Sequence, residues 1–110
     1  ILGRRRYIPE IHAANFNVRR GAERIAVNMP IQGTAADIMK IAMIKMHNRI
    51  TDANMKTRMI LQVHDELIFE TPQEEIQTIK IMMHEEMPSA MKLLVPLNID
   101  IKQGYTWGDF

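Results

Sequence analysis

The sequence predicts an α+β fold: a small antiparallel sheet with an acidic-tipped β-hairpin, packed against about three helices. Three observations point there. Apolar residues recur at helical spacing on both sides of Pro30, first as Ala22, Ile25, Ala26 and Met29, then as Ala35, Ile38, Met39, Ala42 and Met46. Two short runs rich in strand formers, 59–63 and 67–70, flank His64, Asp65 and Glu66, the pattern of a tight hairpin. Thr71, Pro72 and Glu74 are spaced as a helix start. The 110 residues, 46% apolar and 25% charged, suit one folded domain and not an intrinsically disordered chain.

Each element follows in order. Residues 1–8 are a short basic segment, Arg4-Arg5-Arg6-Tyr7, stopped by Pro9. The spacing then predicts a helix over 19–28, whose opposite stripe, Arg20, Arg24 and Asn28, is entirely polar. Gly21 weakens it by up to about 1 kcal/mol relative to Ala. Pro30 ends it or forces a bend. A second helix is predicted over about 34–50, with Thr34 and Asp37 at the spacing of a capping box. Ile41, Met43 and Ile44 widen its apolar stripe, so burial on most sides is expected. Thr51, Asp52, Ala53 and Asn54 read as the turn that follows. After the hairpin, Thr71 should cap a third helix that buries Ile76, Ile79, Met83 and Met87 and is ended or kinked by Pro88. Beyond Pro96, Leu97, Ile99 and Ile101 alternate with Asn98, Asp100 and Lys102, which predicts one more half-buried strand.

Composition removes several kinds of chemistry. With no Cys there is no disulfide scaffold, no Cys-ligated zinc and no thiol nucleophile. No apolar run approaches the roughly 20 residues that span a bilayer. The single Ser, Ser89, stands beside a proline with no evident base, and five scattered glycines form no phosphate loop. A net charge of +1 is close to neutral, so a nucleic-acid partner has to be argued from where the charge sits. The start at Ile1, without an initiator Met or a signal pattern, reads as the middle of a longer protein.

Two tracts carry information. In Gln62-Val63-His64-Asp65-Glu66, two adjacent carboxylates sit where hairpins usually place Asn-Gly or Asp-Gly. Carboxylate oxygens are the ligands Mg²⁺ takes, and a hairpin fixes their backbone. Neighbours near a strand end point in different directions, so one can be a ligand and the other peripheral. From spacing alone an ordinary solvated turn accounts for the tract equally well, and His64 alone is no more than an uninvolved histidine. The second tract, Asn28-Met29-Pro30-Ile31-Gln32-Gly33-Thr34-Ala35-Ala36-Asp37, puts Gln32 just ahead of the expected buried helix, where free N–H groups collect positive potential. Arg24 and Asn28 lie on one face of the preceding helix. A polar helix face at a junction of two helices is the plainer reading.

Together these tracts resemble the C-terminal palm portion of the family A DNA polymerases. Gly3-Arg4-Arg5-Arg6-Tyr7-Ile8-Pro9, Ala22-Glu23-Arg24, Val95-Pro96-Leu97 and Gly104-Tyr105-Thr106-Trp107 look like that family in the same order, so the likeness spans essentially all 110 residues. It implies that residues 1–110 are an incomplete polymerase domain: part of the palm, with the end of its connection to the fingers. The implied activity is template-directed nucleotidyl transfer from a dNTP to a primer 3′-hydroxyl, in replication or repair, in the cytoplasm. Two Mg²⁺ ions about 4 Å apart would serve it in the intact enzyme. By the same resemblance Asp65 is a metal ligand and catalytic residue, and Glu66 a nearby catalytic residue less directly involved. Arg24, Asn28, Gln32 and His64 would form a single surface against the primer–template duplex. Donors there can test pair geometry without reading sequence, because purine N3 and pyrimidine O2 are presented by every Watson–Crick pair.

The sequence also departs from the family. A second motif Asp and the fingers helix whose Lys and Arg hold the triphosphate lie upstream in these polymerases and are not in this chain. The missing palm and fingers segments are therefore expected partners, and the chain alone is expected to be inactive. Two other readings stay open: a single-subunit RNA polymerase palm, which has a similar His-Asp hairpin, and a non-catalytic duplex-binding module.

Overall fold

The computed structural model describes residues 2–110. They divide into two compact units, Ile1–Met39 and Lys40–Phe110, with one helix running through both.

The first unit opens on irregular chain, then a single 3₁₀ turn at Pro9–His12, then the first part of helix α1. Helix α1 spans Phe16–Asp52, 37 residues with Pro30 inside. It replaces the two helices expected over 19–28 and 34–50. The start lies upstream of Arg19 because Asn15 is the cap: its Oδ1 accepts the N–H groups of Asn17 at 2.9 Å and Val18 at 3.2 Å. Continuity across Pro30 also has a physical basis. A proline within a helix costs about 3 kcal/mol and leaves one carbonyl, that of Ala26, without its donor. Ending the helix there would orphan several N–H and C=O groups at each new end. The capping box expected at Thr34 and Asp37 is not formed. The Asp37 side chain is buried within the unit and takes Arg4 Nε at 2.9 Å. Nearby, Arg6 Nη1 donates to Met29 Sδ at 3.0 Å.

In the second unit the core is a small cluster: Met46 and Ile50 from α1 against Ile79 and Met82 from helix α2, Ile76–Glu86. Met55, Phe69, Met83 and Met87 pack around it. Unbranched Met side chains suit such an irregular contact between a helix pair and a hairpin. The expectation that the helical segment 34–50 is buried on most sides is not met. Ala42, Met46 and Ile50 form one buried stripe at i, i+4, i+8, while Ile44 is 61% exposed. Arg49 Nη1 clasps α2 by donating to Glu86 Oε1 at 2.7 Å and to Glu85 Oε2 at 3.0 Å. Lys45 Nζ reaches the Ser89 carbonyl at 3.1 Å.

Thr71 is not the cap of α2. Pro72 leads into a 3₁₀ turn, Gln73–Glu75, and α2 continues from it. The acid that matters is Glu75, which faces the start of strand β1, Arg58–Val63. Its carboxylate accepts the N–H groups of Lys56 and Thr57, both at 2.9 Å, and the buried Thr57 hydroxyl at 2.8 Å. The Lys56 N–H first, then the Thr57 hydroxyl and N–H, hold the Glu75 carboxyl below the usual carboxylate range, against an opposing effect of burial. On α2, Ile79 is buried as expected, Met82 joins it, and Ile76, Met83 and Met87 are half-buried. The helix stops at Glu86, ahead of Pro88.

The strand expected beyond Pro96 is absent among the described residues. Leu97, Ile99 and Ile101 are half-buried and Asn98, Asp100 and Lys102 exposed, so the alternation survives without a ladder. Period-2 patterning specifies which side chains turn inward, but a strand also requires a neighbour to bond. The chain ends in a 3₁₀ turn, Trp107–Asp109, closed by the Thr106 N–H donating to Asp109 Oδ2 at 2.8 Å. The class is therefore α+β, with two α-helices among the described residues where about three were expected and one two-stranded sheet. No helix among the described residues is long and apolar enough to cross a membrane.

Candidate functional site

Strand β1 pairs antiparallel with β2, Glu66–Glu70, from Arg58 opposite Glu70 to Val63 opposite Glu66. A bulge at Ile60 offsets the ladder between Met59 and Leu61. Pairing of Val63 with Glu66 leaves a two-residue turn, His64-Asp65. This corrects the three-residue acidic tip: Glu66 belongs to the ladder. The difference comes from His64, whose φ of 53° supplies the left-handed residue that a two-residue hairpin turn needs. Glycine is usual there, but His is among the side chains that tolerate the region. Gln62 Nε2 braces the turn by donating to the His64 carbonyl at 2.6 Å. No reading of the sequence singled out that role for Gln62.

His64, Asp65 and Glu66 are all exposed. Asp65 projects from the turn, whereas Glu66 is fixed by strand pairing, so the two neighbouring carboxylates sit in different settings. Their oxygens are the donor type Mg²⁺ takes. Among the described residues, however, no group of three or more His, Asp or Glu is placed to hold a metal ion. Two such carboxylates stand side by side at the end of the hairpin.

In the first unit, Arg24, Asn28 and Gln32 follow one another at intervals of four on α1, all exposed. Gln32 lies in mid-helix, so the expected positive potential of a helix start does not apply to it. Its side-chain amide alone can reach a partner. An open groove of about 490 Å³ runs along Phe16, Asn17, Arg20, Glu23, Arg24, Val27 and Asn28. Arg20 lies over the Phe16 ring at 5.6 Å and Arg19 at 6.0 Å, while Arg19 also approaches Glu23 at 4.0 Å. Among the described residues neither Arg20 nor Arg24 is paired with a carboxylate. Charge is uneven along the chain: residues 1–39 hold six Arg against three acids, and residues 40–110 hold eight Lys and Arg against ten acids.

Comparison with known proteins defines the class to which this fold and these residues belong. Residues 1–109 match the model of DNA polymerase family A, and the chain belongs to that family. It is similar to DNA polymerase I of Bacillus subtilis, 51% identical over 109 residues that cover 99% of this chain and 12% of that protein. DNA polymerase I of Mycobacterium leprae is 49% identical over 108 residues, covering 98% and 12%. Among solved structures, the POL domain of Pol1 from M. smegmatis, in complex with DNA primer-template and dNTP, superposes with a TM-score of 0.85 at 50% identity. That likeness covers 89% of this chain and 17% of that one. The chain thus spans about an eighth of the length of these curated relatives. The matched family is that of DNA polymerases.

Proposed function

We propose that this chain is the C-terminal palm part of a DNA-directed DNA polymerase, incomplete as a domain, working on cytoplasmic DNA in replication or repair. The observation that carries the reading is the family match over 1–109 combined with a hairpin that presents Asp65 in a tight, braced turn. The reaction joins the primer 3′-oxygen to the α-phosphorus of a dNTP and releases pyrophosphate. Asp65 is the residue that would hold Mg²⁺, with Glu66 at its side on β2. When bound, Mg²⁺ ions supply charge neutralisation at the transferring phosphate. The part played by the chain is positional. The two strands fix the Asp65 backbone, and the Gln62–His64 bond limits the motion of the turn.

Arg24, Asn28, Gln32 and His64 are the residues that would contact the primer–template duplex. Each offers a donor to the minor-groove acceptors shared by all base pairs, so contact depends on pair shape and not on sequence. The rest of the site comes from segments outside these residues, and the chain alone supplies neither a full metal shell nor a triphosphate clamp.

Templated incorporation tests this directly. A polymerase carrying this segment extends a matched primer, and the isolated 110-residue chain does not. Extension by the purified chain alone would overturn the partial site. A polymerase carrying it that binds duplex without incorporating dNTP would make the segment a non-catalytic binding module.

A further inference from the structure

Building on the reading that Arg24 and Asn28 face the duplex, we propose that Arg20, held on the ring of Phe16, makes an additional contact with the sugar–phosphate backbone. The DNA-facing stripe of α1 is then one turn longer than Arg24, Asn28 and Gln32. Arg20 lies four residues before Arg24 and lines the same groove as Arg24 and Asn28.

Charge separates Arg20 from its neighbour. Arg19 approaches Glu23 at 4.0 Å, whereas Arg20 has no carboxylate partner among the described residues. Glu23, the one acid in the groove, is thus already opposed by a cation, and the remaining groove charges, Arg20 and Arg24, are positive. The partner is therefore an anion.

Geometry favours a phosphate. The Arg20 guanidinium carbon lies over Phe16 at 5.6 Å, and among the described residues the guanidinium N–H groups have no hydrogen-bond partner. Those groups form a planar fork matched to phosphate oxygens. Four residues advance a helix by about 6 Å, comparable to the roughly 7 Å covered by two nucleotides along one strand of B-form DNA. Successive members of the stripe are spaced to follow a strand. Phe16, itself exposed, has no core to fill, and its ring orders the arginine side chain before DNA arrives.

The test is equilibrium binding of a polymerase carrying this segment to primer–template duplexes, at salt from about 50 to 200 mM. Loss of one phosphate contact lowers the slope of log affinity against log salt by about 0.9. Arg20→Ala should show that decrease, by the same amount on duplexes of different sequence. Arg20→Lys should keep the parental slope, and Phe16→Leu should weaken binding at that slope. If Arg24→Ala weakens binding while Arg20→Ala leaves the slope at the parental value, the Arg20 contact is wrong and the duplex reading stands. If neither changes binding, the duplex reading falls with it. A sequence-dependent loss in Arg20→Ala would mean a base contact and overturn the phosphate assignment.

Discussion

Asp37, one of the most buried polar residues of the chain at 5% exposure, meets Arg4 Nε at 2.9 Å across 33 positions of sequence. The pair ties the basic N-terminal segment to α1 within the first unit. It also explains a carboxylate on the inward side of a helix. Removing Arg4 leaves that carboxylate uncompensated, which in fully buried pairs costs about 3–5 kcal/mol.

Arg4 is itself 66% exposed, so water screens the pair and the loss should be smaller. Arg4→Ala should lower stability by about 1–2 kcal/mol. Asp37→Asn should recover part of that loss in the Arg4→Ala background, because the buried charge is then gone. Thermal midpoints of the two single variants and the double variant form the cycle that checks it. Strictly additive losses would mean that the two side chains do not interact.

The Glu75 contacts predict a pH dependence. Three hydrogen bonds favour the charged carboxylate in the folded state, so its folded pKa lies below its unfolded value of about 4.3. A depressed carboxylate contributes stability that is present above the unfolded pKa and is lost as pH falls through the folded one. Acidification below about pH 4.3 should therefore weaken the link between α2 and the start of β1. Glu75→Gln should be less stable at neutral pH and flatter across that acid range. Denaturant midpoints measured against pH decide it; parallel profiles for the two proteins would remove Glu75 from the account.

Two glycines should respond oppositely to alanine. Gly21 lies inside α1 with nothing within 4 Å of where a Cβ would sit, so Gly21→Ala should stabilise by about 0.5–1 kcal/mol. At Gly104 an added Cβ would stand 2.5 Å from Asp109 Cβ, inside the loop that Asp109 closes on Thr106. Gly104→Ala should destabilise by about 1–3 kcal/mol, the usual range for overpacking. Thermal midpoints of the same sign for both substitutions would contradict this.

What the sequence disclosed followed physical locality. The hairpin was legible because two apolar runs and a polar interruption are short-range signals, and Pro88 marked the end of α2 for the same reason. Glu66 was misplaced into the tip because a positive φ at His64 is a tertiary outcome on a residue other than glycine. Pro30 looked like a boundary because local propensity says so, yet an unbroken helix orphans fewer backbone groups than two new ends would. The buried Asp37 and the turned-back Glu75 depend on partners 33 and 18 positions away, which no spacing rule reaches. The alternation from Leu97 to Lys102 predicts a strand that does not form, because inward and outward alternation persists there without a partner to bond. The roles expected of Asp65, Arg24, Asn28 and Gln32 come from the family resemblance, because type and spacing alone fit a solvated turn and a polar helix face. Gln62 and Phe16 did not stand out, since their contacts are to a backbone carbonyl and to a neighbouring guanidinium.

The most direct measurement is the single-turnover incorporation rate of a polymerase carrying this segment, for Asp65→Ala, Asp65→Asn and Glu66→Ala, at saturating dNTP and Mg²⁺. Asp65 occupies the turn and Glu66 the ladder, so the two carboxylates should not be equivalent. Loss of an electrostatic group that acts on the developing charge commonly costs about 10²–10³ in rate. Loss of a supporting carboxylate costs about 10–100-fold. Asp65→Ala should fall in the first range and Glu66→Ala in the second, with primer–template affinity nearly kept in both. Asp65→Asn should match Asp65→Ala, because the amide keeps the shape and loses the charge. Equal losses for Asp65→Ala and Glu66→Ala, or a near-parental rate for Asp65→Asn, would contradict the assignment of Asp65 as the metal-holding carboxylate.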